Sequence, residues 1–256
     1  MNEGLQPSVT AVGCGSCFFE MKPNNITLGR RLAAIAAEVR ENVTLYDVGT
    51  DHAYLPVSLV QAGRIASAVA SDVVPGPLAR ASETVARAGL EMQITLCLAD
   101  GLQGIMLMPP CDVTVAGMGG ELIASILAAA PQVRAEGVRL ILQPMTKPEA
   151  LRRYLAEAGY AIERDFAVED GKLYEIIVCH YDGIPYALRE DEALLGRCGK
   201  RCEDERFYRL VGKKTEVLRR KIEGQRRSGS VDPEAEALFA SLVAILEQTT
   251  PKGEIP

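Results

Sequence analysis

Short apolar runs alternate with helix-patterned stretches across residues 27–184, and this predicts an α/β fold with a parallel sheet covered by helices on both faces. Two further observations support that class. Val-Thr-Val-Ala (113–116) and Leu-Ile-Leu (140–142) are continuous apolar runs, as expected of strands buried on both faces. After Asp182-Gly183 the pattern changes to long helical periodicity, which appends a C-terminal helical hairpin to the sheet.

The elements follow in order. Residues 1–26 carry Gly, Pro, Ser and Asn without periodicity and are expected to form a disordered N-terminal extension, with Met21 as an alternative translation start. Thr27 is placed to cap a helix through Leu28, Leu32, Ile35, Ala36 and Val39. Strands are expected over 44–48, 67–71, 94–98, 113–116, 139–143, 161–168 and 174–180, with helices over 56–62, 77–88, 120–130 and 147–158. The last two strands have no helix between them. Asp170-Gly171 supplies a turn, so they form a hairpin that adds an antiparallel strand at the sheet end. Residues 186–227 are largely helical, with Gly196, Gly199, Gly212 and Gly224 as candidate interruptions. Ser228-Gly229-Ser230 breaks the pattern, and Asp232-Pro233 opens a second helix over 233–248, antiparallel to the first. The chain therefore divides at 1–26, 27–184 and 185–256.

Composition narrows the class. The chain has 256 residues, 48% hydrophobic and 24% charged, which excludes a disordered or fibrous protein. No apolar run is long enough to span a membrane. The seven cysteines (14, 17, 97, 111, 179, 198 and 202) have no paired spacing, which is expected of reduced thiols in a cytoplasmic protein. Cys14-Gly15-Ser16-Cys17 stands alone and only His52 and His180 exist, so no metal site is expected. The N-terminus lacks a secretory pattern. A net charge of −6 argues against a wholly basic nucleic-acid coat, yet residues 197–227 hold 12 basic and 5 acidic residues. That local excess is either a solvated helix face or a phosphate-contacting surface.

Chemistry concentrates in Asp47-Val48-Gly49-Thr50-Asp51-His52-Ala53-Tyr54-Leu55-Pro56, at the end of the first strand. Ligands of open α/β sheets bind at such strand ends. Gly49 permits a tight turn beside a ligand, but Asp51 stands where a dinucleotide fingerprint needs its next glycine. A carboxylate facing a diphosphate is repulsive, which disfavours NAD. Carboxylates suit a cofactor bearing an amine and a sulfonium, S-adenosyl-L-methionine. Asp72 ends the second strand, where an acid accepts ribose hydroxyls; Asp100, followed by Gly101, ends the third, where an acid accepts an adenine amino group. The alternative is that all three acids are caps or turn residues. Gly117, Met118, Gly119 and Gly120 after the fourth strand allow close ligand approach or make a plain turn.

Residues 47–56, Ala-Asp-Gly-Leu (99–102), Ala-Gly-Met-Gly-Gly (116–120), Leu-Ile-Leu-Gln-Pro (140–144) and Lys-Leu-Tyr-Glu-Ile (172–176) together resemble the TrmK family of bacterial tRNA (adenine-22-N1)-methyltransferases. The resemblance covers about residues 28–250. It implies a Rossmann-like class I methyltransferase domain followed by a coiled-coil-like helical domain, with adenine in the tRNA D-arm as substrate. The N-terminal extension departs from the family pattern, as does Asp72, where Glu is common.

On this reading, the cofactor-binding candidates are Asp47, Gly49, Asp72, Asp100, Gly101, Gly117 and Met118. Asp51 either stabilises charge near the base amino group, holds the cofactor amine, or caps the next helix. His52 orients the base, takes a proton or is merely structural, and Tyr54 either stacks on an extruded adenine or is a core or surface tyrosine. Gln143-Pro144 lines the base pocket and Tyr174 is packing. Lys200, Arg201, Arg206, Arg209, Lys213 and Lys214 grip the tRNA backbone. No membrane partner is expected, and the chain is a monomer or weak dimer. The rivals are a methyltransferase of another RNA base or a small molecule, an NAD-dependent oxidoreductase, and a non-catalytic RNA-binding or interaction protein.

Overall fold

The computed structural model describes residues 26–197 and 205–247; the N-terminal extension with its two cysteines lies outside the described residues, as do Lys200 and Arg201. Seven strands form one sheet in the order β3-β2-β1-β4-β5-β7-β6. They are β1 (Thr44–Val48), β2 (Ser67–Asp72), β3 (Ile94–Leu98), β4 (Cys111–Gly119), β5 (Val138–Thr146), β6 (Tyr160–Asp170) and β7 (Lys172–Tyr181). The first five are parallel. The chain runs outward from β1 to β3, then returns to β4 beside β1. The β1–β4 boundary is therefore where the order reverses and a crevice opens at the strand ends.

The hairpin forms as expected, but its place differs. The antiparallel strand β7 pairs with β5 and lies inside the sheet, leaving β6 at the edge. Burial explains the order. Ile176, Ile177, Val178 and Cys179 are fully buried, as an internal strand requires, whereas Glu163 and Arg164 of β6 give an edge its charge.

Helices cover both faces. On one face α1 (Arg30–Glu38), α2 (Tyr54–Gln61) and α3 (Pro75–Ala88) bury Ile35, Leu55, Val57 and Val85; on the other α4 (Gly120–Ala128) and α5 (Pro148–Glu157) bury Ile123, Leu127, Leu151 and Leu155. Thr27 does not cap the first helix. The helix starts at Arg30 with Gly29 as N-cap, and the Arg31 backbone N–H donates to Asp170 Oδ2 at 3.1 Å. The cap thus comes from the β6–β7 turn, a tertiary contact that local sequence does not encode.

The C-terminal part holds α6 (Glu190–Leu195), α7 (Glu205–Arg227) and α8 (Pro233–Glu247). Gly196, at φ +80°, ends α6, whereas α7 continues through Gly212 and Gly224. Helices α7 and α8 pack antiparallel. Arg226 meets Glu236 at 2.9 Å near the turn, and Leu242 joins Phe207 and Val211 at the far end. An ion network docks these helices on the sheet. Arg152 of α5, 1% exposed, donates to Asp165 of β6 at 2.8 and 2.9 Å and to Glu175 of β7 at 2.7 Å. It also donates to the carbonyls of Ala193 and Leu194 in α6, and Lys214 of α7 reaches Glu175 at 3.1 Å. Among the described residues no helix is long and apolar enough to cross a membrane, and no group of His, Cys, Asp and Glu could hold a metal ion.

Candidate active site at the strand ends

The loop after β1 is held by its own sequence. Asp47 is buried, and both carboxylate oxygens accept hydroxyl hydrogens, Oδ2 from Thr50 at 2.7 Å and Oδ1 from Thr114 at 2.6 Å. Burial raises its pKa, and the two hydroxyls oppose that rise only in part. Asp47 therefore shapes the loop, with both carboxylate oxygens engaged and little of its surface left exposed. The Gly49 and Thr50 N–H groups both donate to the Ser71 carbonyl of β2, at 2.8 and 2.9 Å. Gly49 has φ +76°, a conformation that favours glycine, and a Cβ there would also push Met118 Cε aside. Met118 accordingly packs on the loop.

Asp51 and Ala53 also have positive φ, at 45° and 55°. Side chains rarely accept this region, and such strain clusters at functional sites. Asp51 caps no helix; Ala53 occupies the N-cap of α2, with no side-chain cap bond. Asp51 is exposed and ion-paired with Arg80 of α3. Its Oδ2 lies 3.6 Å from His52 Nε2. The His52 and Tyr54 rings stack, with centroids 4.9 Å apart and planes 7° from parallel, and Tyr54 is 40% exposed.

Asp72 and Asp100 stand at adjacent strand ends, and neither has a cationic partner among the described residues. Asp72 Oδ1 accepts the Val74 N–H at 2.9 Å, and Asp100 Oδ2 accepts from the Gln103 amide at 3.4 Å. Strand pairing ties the two ends together, with the Ala99 N–H donating to the Asp72 carbonyl at 3.0 Å. A cavity of about 250 Å³ opens beside Asp100, between Leu102, Gln103, Leu122, Ser125 and Ile126. Val73, Val74 and Leu98 add exposed apolar surface nearby. Gly101 has φ +60° and packs against Ile126, while Gly117 has φ +84° and open space around it. The run 116–119 is the bulged end of β4 rather than a turn, and the helix begins at Gly120.

On the β5 side, Gln143 is fully buried. Its amide donates to the Pro144 carbonyl at 2.8 Å and accepts from Arg31 Nη1 at 2.7 Å. It fixes the backbone behind the site and does not line a base pocket. Tyr174 packs against the core, as expected. It lines a cleft with Arg31 5.5 Å above its ring and Lys172 5.1 Å from it.

The basic helix face is partly spent on docking. Arg209 makes a bidentate pair with Glu169 at 2.6 and 2.9 Å, and Lys214 bridges Glu175 and Glu149. These ion pairs join α7 to carboxylates of β6, β7 and α5, which sequence charge alone does not reveal. Arg206 and Lys213 are exposed.

The family model described as a methyltransferase domain matches residues 28–177. The tRNA (adenine(22)-N(1))-methyltransferase of Bacillus subtilis (strain 168) is 36% identical over 169 residues, covering 63% of this chain and 71% of that relative. This chain belongs to the tRNA (adenine-22-N1)-methyltransferase family. Two solved structures extend the likeness over nearly the whole molecule. The B. subtilis m1A22 tRNA methyltransferase TrmK matches with TM-score 0.73 and 27% identity over 88% of this chain and 99% of that one. Streptococcus pneumoniae Sp1610 in complex with S-adenosyl-L-methionine matches with TM-score 0.74 and 32% identity over 86% and 100%. The structure brings three further residues beside the predicted ones that sequence reasoning missed: Arg31 on Gln143, Arg80 on Asp51, and Lys147 at the end of β5. Arg31 sits in the first turn of α1 and Arg80 in the middle of α3, with no motif around them. Lys147 did carry a signal, since it precedes Pro148, a helix-starting residue; in the structure it has φ 53° at the N-cap of α5.

Proposed function

We propose that this chain transfers the methyl group of S-adenosyl-L-methionine to N1 of adenine 22 in tRNA. The observation that carries the reading is the pair of carboxylates, Asp72 and Asp100, without cations among the described residues at adjacent strand ends beside the strained 49–53 loop. That donor set fits the cofactor. Asp72 accepts the ribose hydroxyls, Asp100 accepts the adenine amino group with the ring in the cavity beside it, and open Gly117 admits the methionine end. When bound, the cofactor supplies a methyl group already activated on a sulfonium, so no metal is required.

The chain's own work is orientation. N1 lies on the pairing edge of adenine, so the base must leave its stack to be reached. The stacked His52–Tyr54 pair presents an aromatic wall for that base, with the exposed Tyr54 face outward. Asp51, held by Arg80, positions His52 and places negative charge near the ring, which becomes cationic on methylation. Holding N1 in line with the methyl group converts a bimolecular encounter into an oriented one, the main source of acceleration open to the enzyme without acid–base chemistry. Lys213 and Arg206 contribute phosphate contacts. A tRNA substrate locates this work in the cytoplasm.

The test is nucleoside mass mapping of tRNA incubated with protein and isotope-labelled cofactor. Label in 1-methyladenosine at position 22, absent when that adenine is replaced by guanine, supports the reading. Label at another base, or none, overturns it.

A further inference from the structure

A second cleft adjoins the strand ends on the β5 side. It measures about 520 Å³, within the range of small-ligand pockets, and lies between the β5–α5 junction, the start of β7 and helix α7. Its floor is apolar, formed by Met145, Leu210 and Val217, and Val217 is 62% exposed on a helix whose other apolar residues pack inward. Its charges are sorted. The lining carboxylates Glu175 and Glu149 are already met by Arg152 and Lys214. Lys147 faces Glu121 at 2.6 Å. Lys172 and Lys213 also line the cleft, from β7 and α7, and have no carboxylate partner among the described residues. An apolar floor between two unneutralised ammonium groups matches one chemistry, a flat base with a phosphate on either side.

Position supports the same occupant. The cleft begins at Pro144–Lys147, and Met118 and Gly119 of β4 pair directly with Pro144 and Thr146 of β5. The cleft is thus the immediate neighbour of the strand end that faces the reacting base. We infer that it receives a second unstacked nucleotide of the tRNA, adjoining adenine 22, with its base on Met145, Leu210 and Val217 and its phosphates on Lys172 and Lys213. This rests on the methylation reading for the identity of the RNA. In this arrangement the enzyme opens the D-arm by holding two bases out, and the second is recognised by shape and charge.

The experiment uses the full-length protein and tRNA carrying 2-aminopurine on one side or the other of adenine 22. On binding wild-type protein, one of the two probes should brighten as it leaves its stack. Val217→Glu places a carboxylate on the floor at an exposed position. It should abolish that brightening and weaken tRNA affinity at least tenfold, with the affinity for S-adenosyl-L-methionine and the thermal midpoint unchanged. Lys172→Ala combined with Lys213→Ala should lower the salt dependence of tRNA binding by about two in log–log slope, about one per lysine. If neither flanking probe brightens, or if V217E binds tRNA like wild type, the inference is overturned. These readouts report binding and stacking, whereas the nucleoside map reports methylation, so either proposal can fail alone.

Discussion

Gly49 shows how one backbone angle governs the site. At φ +76°, with Met118 Cε in the space a Cβ would take, Gly49→Ala must strain the loop and displace Met118. We expect a loss of about 1–3 kcal/mol in urea unfolding and at least a tenfold weaker cofactor affinity by calorimetry. Asp47 gives a pH signature. Burial raises its pKa above the ordinary 3.8, so the folded chain holds that proton more tightly than the unfolded one. Its contribution to stability is therefore fully present below the ordinary carboxylate value and is lost as pH rises through the elevated one. Asp47→Asn should remove this dependence, so the urea midpoints of wild type and variant should diverge across that window. Parallel midpoints would refute it. At this scale, the position of Asp72 and Asp100 at adjacent strand ends was legible because an acid after each successive strand is a pattern. The hydrogen bonds of Asp47 were not legible, because its partners, Thr50 and Thr114, become neighbours only when the loop closes and β1 and β4 pair.

Elements were easier to read than their ends. Strand and helix order followed from alternating periodicities, which depend on burial alone. Boundaries failed where tertiary contacts set them. Asp170 caps a helix 139 residues away from its own position in the chain, and β4 runs on through its glycines because Thr146 continues beside Gly119. Gly120 starts α4 under similar constraint, since a Cβ would run into the Lys147 carbonyl oxygen. The Arg152 network is the main polar joint between elements. Arg152→Met removes the cation from two buried carboxylates, Asp165 and Glu175, and leaves the α6 carbonyls without a donor. We expect destabilisation of about 3–5 kcal/mol, read as a lower urea midpoint.

For the whole molecule, the two-part plan of sheet and helical hairpin was visible in the change of periodicity near Gly183. The direction of the basic charge was not. Sequence counts 12 basic residues over 197–227, but the fold pairs Arg209, at the surface, with Glu169 of β6 and Lys214 with Glu175 of β7. A measurable split follows. Arg209→Ala should leave the salt slope of tRNA binding unchanged, whereas Lys213→Ala should lower it by about one. Equal effects of the two substitutions would show that the tail detaches from the sheet before it meets RNA.

Because β1 to β5 all run the same way, every loop that enters one of these strands lies on the rim opposite the chemistry. Met92, 95% exposed just before β3, sits there, separated from Asp100 by the whole of β3, five residues and about 17 Å long. A fluorophore tethered at that rim would report the arrival of RNA by anisotropy while standing clear of the door through which it enters.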